Sequence, residues 1–213
     1  MENVTKNLRI IAIGAIIGII LVGCNAKASA KSSIGGRASP VSDFSFDLSE
    51  SGQGIKITDY TGNGGSVIIP ANIEDMPVVE INYLAFSSKV SITSIVVPDS
   101  VEKIGMNAFS FLVNLTTIAL PNGLKVISNN TFSGCKSLKK VNLPTNLEAI
   151  HGQAFSGCSE LIELDIPTSI TSIKFLSQFG DDEVSNNYAF TGCGKLPIRT
   201  RQKLQEFGYK GSF

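Results

Sequence analysis

PDSVEKIGMNAFSFLVNLTTIAL (Pro98–Leu120), PNGLKVISNNTFSGCKSLKKVNL (Pro121–Leu143) and PTNLEAIHGQAFSGCSELIELDI (Pro144–Ile166) follow one another without a gap and repeat a single pattern. Equivalent apolar residues stand 23 positions apart, as in the series Ile81, Ile104, Ile127, Ile150 and Ile173, and the series Phe86, Phe109, Phe132 and Phe155. A fixed period of 20 to 50 residues is typical of solenoids, in which each repeat packs on its neighbours.

Each repeat contains two short β-prone segments and one turn. Leu115–Leu120 is short and β-prone, and Pro121 ends it because proline cannot donate a hydrogen bond to a ladder. Stacked repeats should place such strands about 4.8 Å apart in a parallel sheet. The second segment, Leu124–Ile127, is expected to be extended. The A-F-x-x-C stretch, as in Ala154–Cys158, is expected to be a helical turn that inserts Phe and Cys into the core.

These repeats resemble the BspA-type leucine-rich repeat, whose unit is P-x-x-L-x-x-I-x-x-x-A-F-x-x-C-x-x-L-x-x-I-x-L. The resemblance covers about Pro70 to Leu196. It implies a right-handed leucine-rich repeat solenoid, mainly β with short helical turns and about five repeats. It also implies a cell-envelope or surface protein that binds other molecules, often in adhesion. It implies no catalytic chemistry, and a fold alone does not name a ligand.

Composition excludes several functional classes. The 213 residues include 18 basic and 18 acidic side chains, without the basic stripe that a nucleic-acid binder needs. The only histidine, His151, is expected at an exposed turn, and no catalytic triad or phosphate loop is evident. Asp181, Asp182 and Glu183 lack the spacing of a calcium loop. We therefore expect no enzyme activity, no cofactor and no metal site.

The N-terminus is typical of an exported protein. Residues 1–23 carry Lys6 and Arg9 before an apolar run over 10–22, which is the layout of a secretory signal. The run ends in Leu-Val-Gly-Cys at Cys24, which resembles a bacterial lipobox and implies lipidation of Cys24 in a bacterial lipoprotein. The alternative is a signal anchor with an incidental cysteine. Two or three acyl chains would hold the protein firmly on a membrane.

Five segments follow from these boundaries. A flexible tether is expected over 24–42, after the signal peptide at 1–23. Residues 43–69 should form an N-terminal β cap that includes a hairpin, because a solenoid must cover its apolar ends. The repeats occupy 70–196, with an insert near 174–188 that is either an irregular excursion or a ligand-contacting loop. Residues 197–213 should form a C-terminal cap with a short helix over Thr200–Phe207, ended by Gly208.

Three cysteines occupy one repeat position. Cys135 and Cys158 should lie near 5 Å apart in adjacent coils, so a disulfide between them is compatible with the backbone distance. Cys193 has the same position after the insert. The alternative is a ladder of buried free thiols, which the parallel direction of the side chains favours.

The residues that flank the central strand leucine should point outward, as the leucine-rich repeat resemblance implies. They are Ser94, Val96, Thr117, Ala119, Lys140, Asn142, Glu163 and Asp165. They should form two columns that change from small or apolar to polar and charged along the solenoid, with Lys140 and Glu163 close enough to pair. Such a face suits contact with a protein, although it is equally compatible with an ordinary solvated sheet.

The sequence therefore predicts a lipid-anchored cell-envelope protein that binds a protein ligand through the solenoid face. The ligand would be a host matrix protein or another envelope protein, and the membrane would be contacted through the N-terminal lipid. The alternative is a periplasmic structural or scaffold lipoprotein without a host ligand. The two differ in whether the solenoid faces the outer surface or the periplasm.

Overall fold

The structure is a computed structural model of the chain, and it describes residues 36–174 and 188–213. A 3-10 turn at Val41–Asp43 precedes the first strand, and the helix α1 spans Ile198–Glu206. In chain order the strands are β1 (Phe44–Leu48), β2 (Ile55–Tyr60), β3 (Gly65–Ile68), β4 (Asn72–Ile73), β5 (Met76–Ile81), β6 (Ile92–Val96), β7 (Lys103–Ile104), β8 (Thr117–Ala119), β9 (Val126–Ile127), β10 (Lys140–Asn142), β11 (Ala149–His151), β12 (Glu163–Leu164) and β13 (Ser172–Lys174).

Two ladders of parallel strands run along the solenoid. The strands β3, β6, β8, β10 and β12 form one sheet in that order, called the front sheet below. The second segment of each repeat is extended, as expected, and supplies the other ladder: β2, β5 and β7, then β9, β11 and β13. Because one coil contains 23 residues, Ile95, Ile118 and Val141 lie in register on adjacent strands.

The A-F-x-x-C stretch differs from the helical turn that the sequence predicts. It consists of consecutive tight turns, in which the Ala154 N–H donates to His151 O and the Cys158 N–H to Phe155 O. Gln153 and Gly157 adopt left-handed backbone angles, with φ of 58° and 75°. Alternate N–H groups point to the next coil instead of up a helix, as in the bond from Phe155 N to Ala189 O. Bonding to the neighbouring coil therefore replaces helical bonding.

A continuous stack of aromatic rings runs through the core from one end to the other. Neighbouring ring centroids are 5.0 to 5.7 Å apart, a separation at which aromatic pairs attract. The rings are, in order, Phe44, Tyr60, Phe86, Phe109, Phe132, Phe155, Phe190, Tyr209 and Phe213. The 23-residue spacing of the phenylalanines thus places one ring of the stack in each coil.

The N-terminal end begins earlier than the sequence predicts. The hairpin of β1 and β2 is present, but β2 and β3 also belong to the two parallel ladders and so form a first coil. The Ser39 N–H donates to Ile68 O, and the Ile68 N–H donates to Ser39 Oγ, which covers the free edge of β3. Residues 36–42 of the predicted tether therefore lie in the compact part of the chain, which starts at Gly36.

Extra residues in the first repeat form a small hairpin of β4 and β5. Its two central residues, Glu74 and Asp75, have φ of 50° and 62°. Positive angles at both positions are those of a type I′ turn, whose twist matches that of paired strands. The insertion is thus accommodated beside the ladder without breaking its register.

The C-terminal end is covered by α1, close to the predicted position. Leu204 is fully buried, and Gly208 follows the helix with φ of 90°. The Gly208 N–H donates to Gln205 O and the Tyr209 N–H to Leu204 O, which is the Schellman arrangement for ending a helix. The buried Tyr209 ring then closes the aromatic stack edge-on against Phe190.

Several predictions fall outside the described residues. They are the signal peptide over 1–23, the lipidated Cys24, residues 25–35 of the tether, and the interior of the insert over 175–187. In the ranges 36–174 and 188–213, no helix combines the length and the apolar character that crossing a membrane requires.

Candidate binding face

The front sheet brings all eight predicted face residues together in two columns. Ser94, Thr117, Lys140 and Glu163 are successive partners in the strand register, which makes them the first column. Val96, Ala119 and Asn142 are partners in the second column, and Asp165 follows directly after β12. Between the columns lie the buried residues Ile95, Ile118, Val141 and Leu164. Alternation of inward and outward side chains therefore produces the face.

Exposure increases along this face. The residues of β6 and β8 in both columns are half-buried, whereas Lys140, Asn142, Glu163 and Asp165 are exposed. The first half is composed of small hydroxyl and aliphatic groups, and the second half carries the charges. A partner would thus meet a shallow, neutral surface at one end of the face and projecting polar side chains at the other.

Lys140 and Glu163 form the predicted ion pair, with 2.8 Å between Nζ and Oε2. The hydrogen bond to Glu163 raises the pKa of Lys140 above its ordinary value. The two side chains remain 48% and 59% exposed, so this pair adds little to stability and leaves both groups accessible to a partner. Their geometry is set by the parallel register rather than by burial.

Sequence reasoning missed two members of the columns. Ser66 and Ile68 on β3 are the register partners of Ser94 and Val96. The Ser94 hydroxyl donates to Ser66 Oγ at 2.9 Å, which extends the first column by one coil. Val67–Pro70 resembles the strand end of a repeat, and this resemblance is the sequence signal that identifies β3 as part of the face.

The three cysteines form a ladder of buried free thiols. Each thiol donates to the carbonyl of the phenylalanine in the preceding coil; the distances from Cys135, Cys158 and Cys193 are 3.0, 3.2 and 3.1 Å. Burial raises the pKa of Cys135 and of Cys193 to about 12, and raises that of Cys158 well above its ordinary value. These thiols are therefore protonated packing groups at neutral pH rather than nucleophiles.

The sequence predicts that His151 lies in an exposed turn, and this prediction is wrong. It lies in β11 beside Lys174 of β13, half-buried, and burial lowers its pKa. Across residues 36–174 and 188–213, no group of three or more His, Cys, Asp or Glu side chains is placed to hold a metal ion.

Comparison with known proteins identifies the repeat. The family model for the BspA type leucine rich repeat region matches residues 79–179 in six copies. A solved leucine-rich repeat protein from T. pallidum is 29% identical, with a TM-score of 0.65 over 83% of this chain and 99% of that one. No curated protein matches the chain.

Two longer solved structures are also similar. A leucine-rich repeat protein from Bacteroides ovatus is 27% identical, with a TM-score of 0.57 over 72% of this chain and 44% of that one. A leucine rich cell surface protein from Faecalibacterium prausnitzii is 25% identical, with a TM-score of 0.62 over 79% and 41%. The chain therefore spans less than half the length of these two relatives.

The family match, the 23-residue coils and the similar solved structures agree with one another. Residues 79–179 match the family model of the BspA-type leucine-rich repeat, and the chain is similar in fold to solved bacterial leucine-rich repeat proteins.

Proposed function

We propose that this protein is a lipid-anchored component of the bacterial cell envelope that binds another protein through the front sheet and performs no catalysis. The observation that carries the proposal is the strand register that places the eight face residues in two columns on a parallel sheet. Ladder hydrogen bonds hold the backbone beneath these side chains in place before binding, so little backbone ordering would be required when a partner docks.

The exposed half of the face is the expected centre of recognition. Lys140, Asn142, Glu163 and Asp165 offer donors and acceptors of both charges, which suits a protein partner better than a uniformly charged polymer. The partner is a host matrix protein or another envelope protein. The Faecalibacterium relative is named as a cell surface protein, which supports an envelope location for this chain.

Protease accessibility tests the location. Intact cells, permeabilised cells and cells that express Cys24→Ala would be digested in parallel and probed for the solenoid. Digestion of intact cells supports an outer-surface binding protein. Protection until permeabilisation supports the periplasmic scaffold role instead. Loss of membrane association in Cys24→Ala supports the anchor, and unchanged membrane association in that variant contradicts it.

A charge exchange tests the binding face. The double variant Lys140→Glu/Glu163→Lys keeps an ion pair but reverses its direction on the front sheet. Lys125 and Glu148 form a matched control pair, also 2.8 Å apart and 55% exposed on each side, beside the other ladder. Binding to a panel of immobilised matrix and envelope proteins should fall at least about tenfold for Lys140→Glu/Glu163→Lys. It should stay unchanged for the control variant Lys125→Glu/Glu148→Lys. Equal binding by both variants would contradict the assignment of the face.

A further inference from the structure

Exposed apolar side chains gather on the turn side of the first two full repeats. Tyr83, Leu84, Val90 and Phe111 are 53%, 40%, 51% and 53% exposed. All four flank the A-F-x-x turns of these two repeats, and they are called the turn-edge patch below. Later repeats carry polar residues or glycine at the positions of Leu84 and Phe111; these residues are Asn107, Asn130 and Gln153, and Gly134, Gly157 and Gly192.

Two members of the patch have strained backbones. Leu84 and Phe111 have φ of 59° and 56°, in the left-handed region that favours glycine and asparagine. The equivalent Gly134 makes the same ladder bond as Phe111: the Phe111 N–H donates to Ser133 O and the Gly134 N–H to Ser156 O, both at 2.7 Å. The ladder therefore does not require a phenylalanine. Strain held at an exposed apolar side chain points to a role other than folding.

The Phe111 ring is also held in position. It lies against Gly134 of the next coil, where a β-carbon would approach Cδ1 of the ring to 2.6 Å. The Cδ1–Cε1 edge of the ring thus lies against the Gly134 backbone, and about half of the residue is left to solvent. An aromatic side chain fixed in this way loses little freedom when a partner covers it, which is a property of interface anchors.

The charges around the patch permit contact between identical surfaces. Residues 82–88 and 105–114 contain no charged side chain. The adjacent Lys89 is paired with Asp59, with 3.0 Å between Nζ and Oδ1. In a twofold dimer the same patch meets itself, so a net charge would repel its own copy. A neutral apolar patch meets this condition, whereas the exposed half of the front sheet keeps the charge of Asp165 beside the Lys140–Glu163 pair.

We propose that the turn-edge patch is a self-association surface, on which a second copy of this chain docks through the same residues about a twofold axis. Four side chains provide less area than the roughly 800 Å² per partner of a stable complex. The dimer is therefore weak and transient, and it forms at high local concentration. This inference does not depend on the ligand of the front sheet.

Cysteine cross-linking of the full chain tests the proposal. Ser88 is exposed at the edge of the patch, and its turn position is the one that Phe111 occupies in the next coil. Ser159, an exposed turn residue two repeats beyond Phe111, provides the control site. Under mild oxidation, Ser88→Cys should give a concentration-dependent covalent dimer, whereas Ser159→Cys and the parent chain should give only background. Equal yields from the two cysteines would overturn the proposal, as would exclusive cross-linking of Ser88→Cys to a different protein.

The anchors are then removed in the Ser88→Cys chain. The double variant Leu84→Asn/Phe111→Asn introduces the residue that later coils carry at left-handed positions, and should reduce the dimer at least fivefold. Its melting temperature should equal or exceed that of the parent, because the backbone strain is relieved. A matched control, Ile162→Asn/Ile198→Asn, alters side chains that are 44% and 74% exposed elsewhere and should leave the yield unchanged. An undiminished dimer, or a clear fall in the melting temperature, would overturn the proposal.

Discussion

At the scale of single residues, Gly134 and Gly157 occupy equivalent positions but have different neighbours. Both have left-handed backbones, with φ of 74° and 75°. A β-carbon on Gly134 would meet the Phe111 ring at 2.6 Å, whereas one on Gly157 would meet only Gly134 backbone at 3.6 Å. Gly157→Ala should therefore cost about 1 kcal/mol from backbone strain alone, and Gly134→Ala clearly more.

Denaturant unfolding of the two variants checks this expectation. In a Phe111→Asn background the two alanine substitutions should cost nearly the same, because the ring that distinguishes them is gone. An unchanged difference between them would show that the Phe111 ring does not lie where the structure places it.

The buried thiols predict the response of stability to alkaline pH. An unfolded thiol ionises above about pH 9, whereas burial holds the pKa of Cys135 and of Cys193 at about 12 in the folded protein. As pH rises, the thiols of the unfolded state therefore lose their protons before those of the folded state. The contribution of the buried thiols to the free energy of unfolding is complete below pH 9 and is lost as pH rises to about 12. Cys135→Ala should be less stable at pH 7 but should lose roughly 1 kcal/mol less per pH unit above pH 9.5.

The control for this measurement is Leu112→Ala. Leu112 is fully buried at the position that Cys135 occupies in the next coil, but it carries no thiol. Urea unfolding between pH 8 and 11 should show lower stability in this variant with the pH dependence of the parent. A pH dependence in Cys135→Ala equal to that of the parent would contradict the thiol linkage.

At the scale of elements, the strands of the front sheet are short and depend on their neighbours. β8 has three residues, and its central Ile118 pairs with Ile95 on one side and Val141 on the other. Ile118→Pro removes a backbone donor from the middle of the sheet, which costs about 3 kcal/mol or more. We expect calorimetry to show the loss of the single cooperative transition.

A proline at an exposed turn provides the comparison. Thr145 is the second residue of the turn closed by the bond from Leu147 N to Pro144 O, a position at which proline is tolerated. Thr145→Pro should melt within a few degrees of the parent. If Ile118→Pro melts in the same way, residues 117–119 are not a strand of the ladder.

At the scale of the whole molecule, stability depends on coils that each supply at least 23 residues, because a longer coil carries its extra residues outside the ladder, as the β4–β5 hairpin does. Deletion of residues 121–143 removes one coil and joins Leu120 to Pro144, so that Phe109 should stack on Phe155. The shortened protein should fold, with a smaller dependence of unfolding free energy on denaturant because less surface is buried. A longer deletion of residues 121–144 leaves the joined coil one residue short, and a missing residue cannot be supplied by a loop outside the ladder.

Circular dichroism and urea unfolding would compare the two deletions. To close the short coil, its strand residues must shift by one position and turn core side chains outward, so the variant that lacks 121–144 should not fold cooperatively. Similar folding of both deletions would contradict a core that depends on stacking in register.

The repeat pattern alone determined the solenoid and most of the candidate face. A strict spacing of 23 residues places Phe109 on Phe132 and Lys140 beside Glu163 in any structure in which one coil equals one repeat. The outward direction of the columns follows from strand alternation. The buried thiols follow from a single apolar position repeated along the chain, and the helix end from Gly208.

Only the tertiary structure decided the conformation of the turns and the true beginning of the fold. Alternate N–H groups of the A-F-x-x-C stretch donate to the next coil, as from Phe109 N to Thr131 O. Helical propensity depends on local sequence and does not include such contacts. Ser39 belongs to the folded part because Ile68, 29 residues away, offers it an unpaired strand edge. In a solenoid, each segment is stabilised largely by contacts with residues about one repeat away in the sequence. The repeat period therefore determines the architecture. The conformations of the edges and turns depend instead on contacts that exist only once neighbouring coils have packed together.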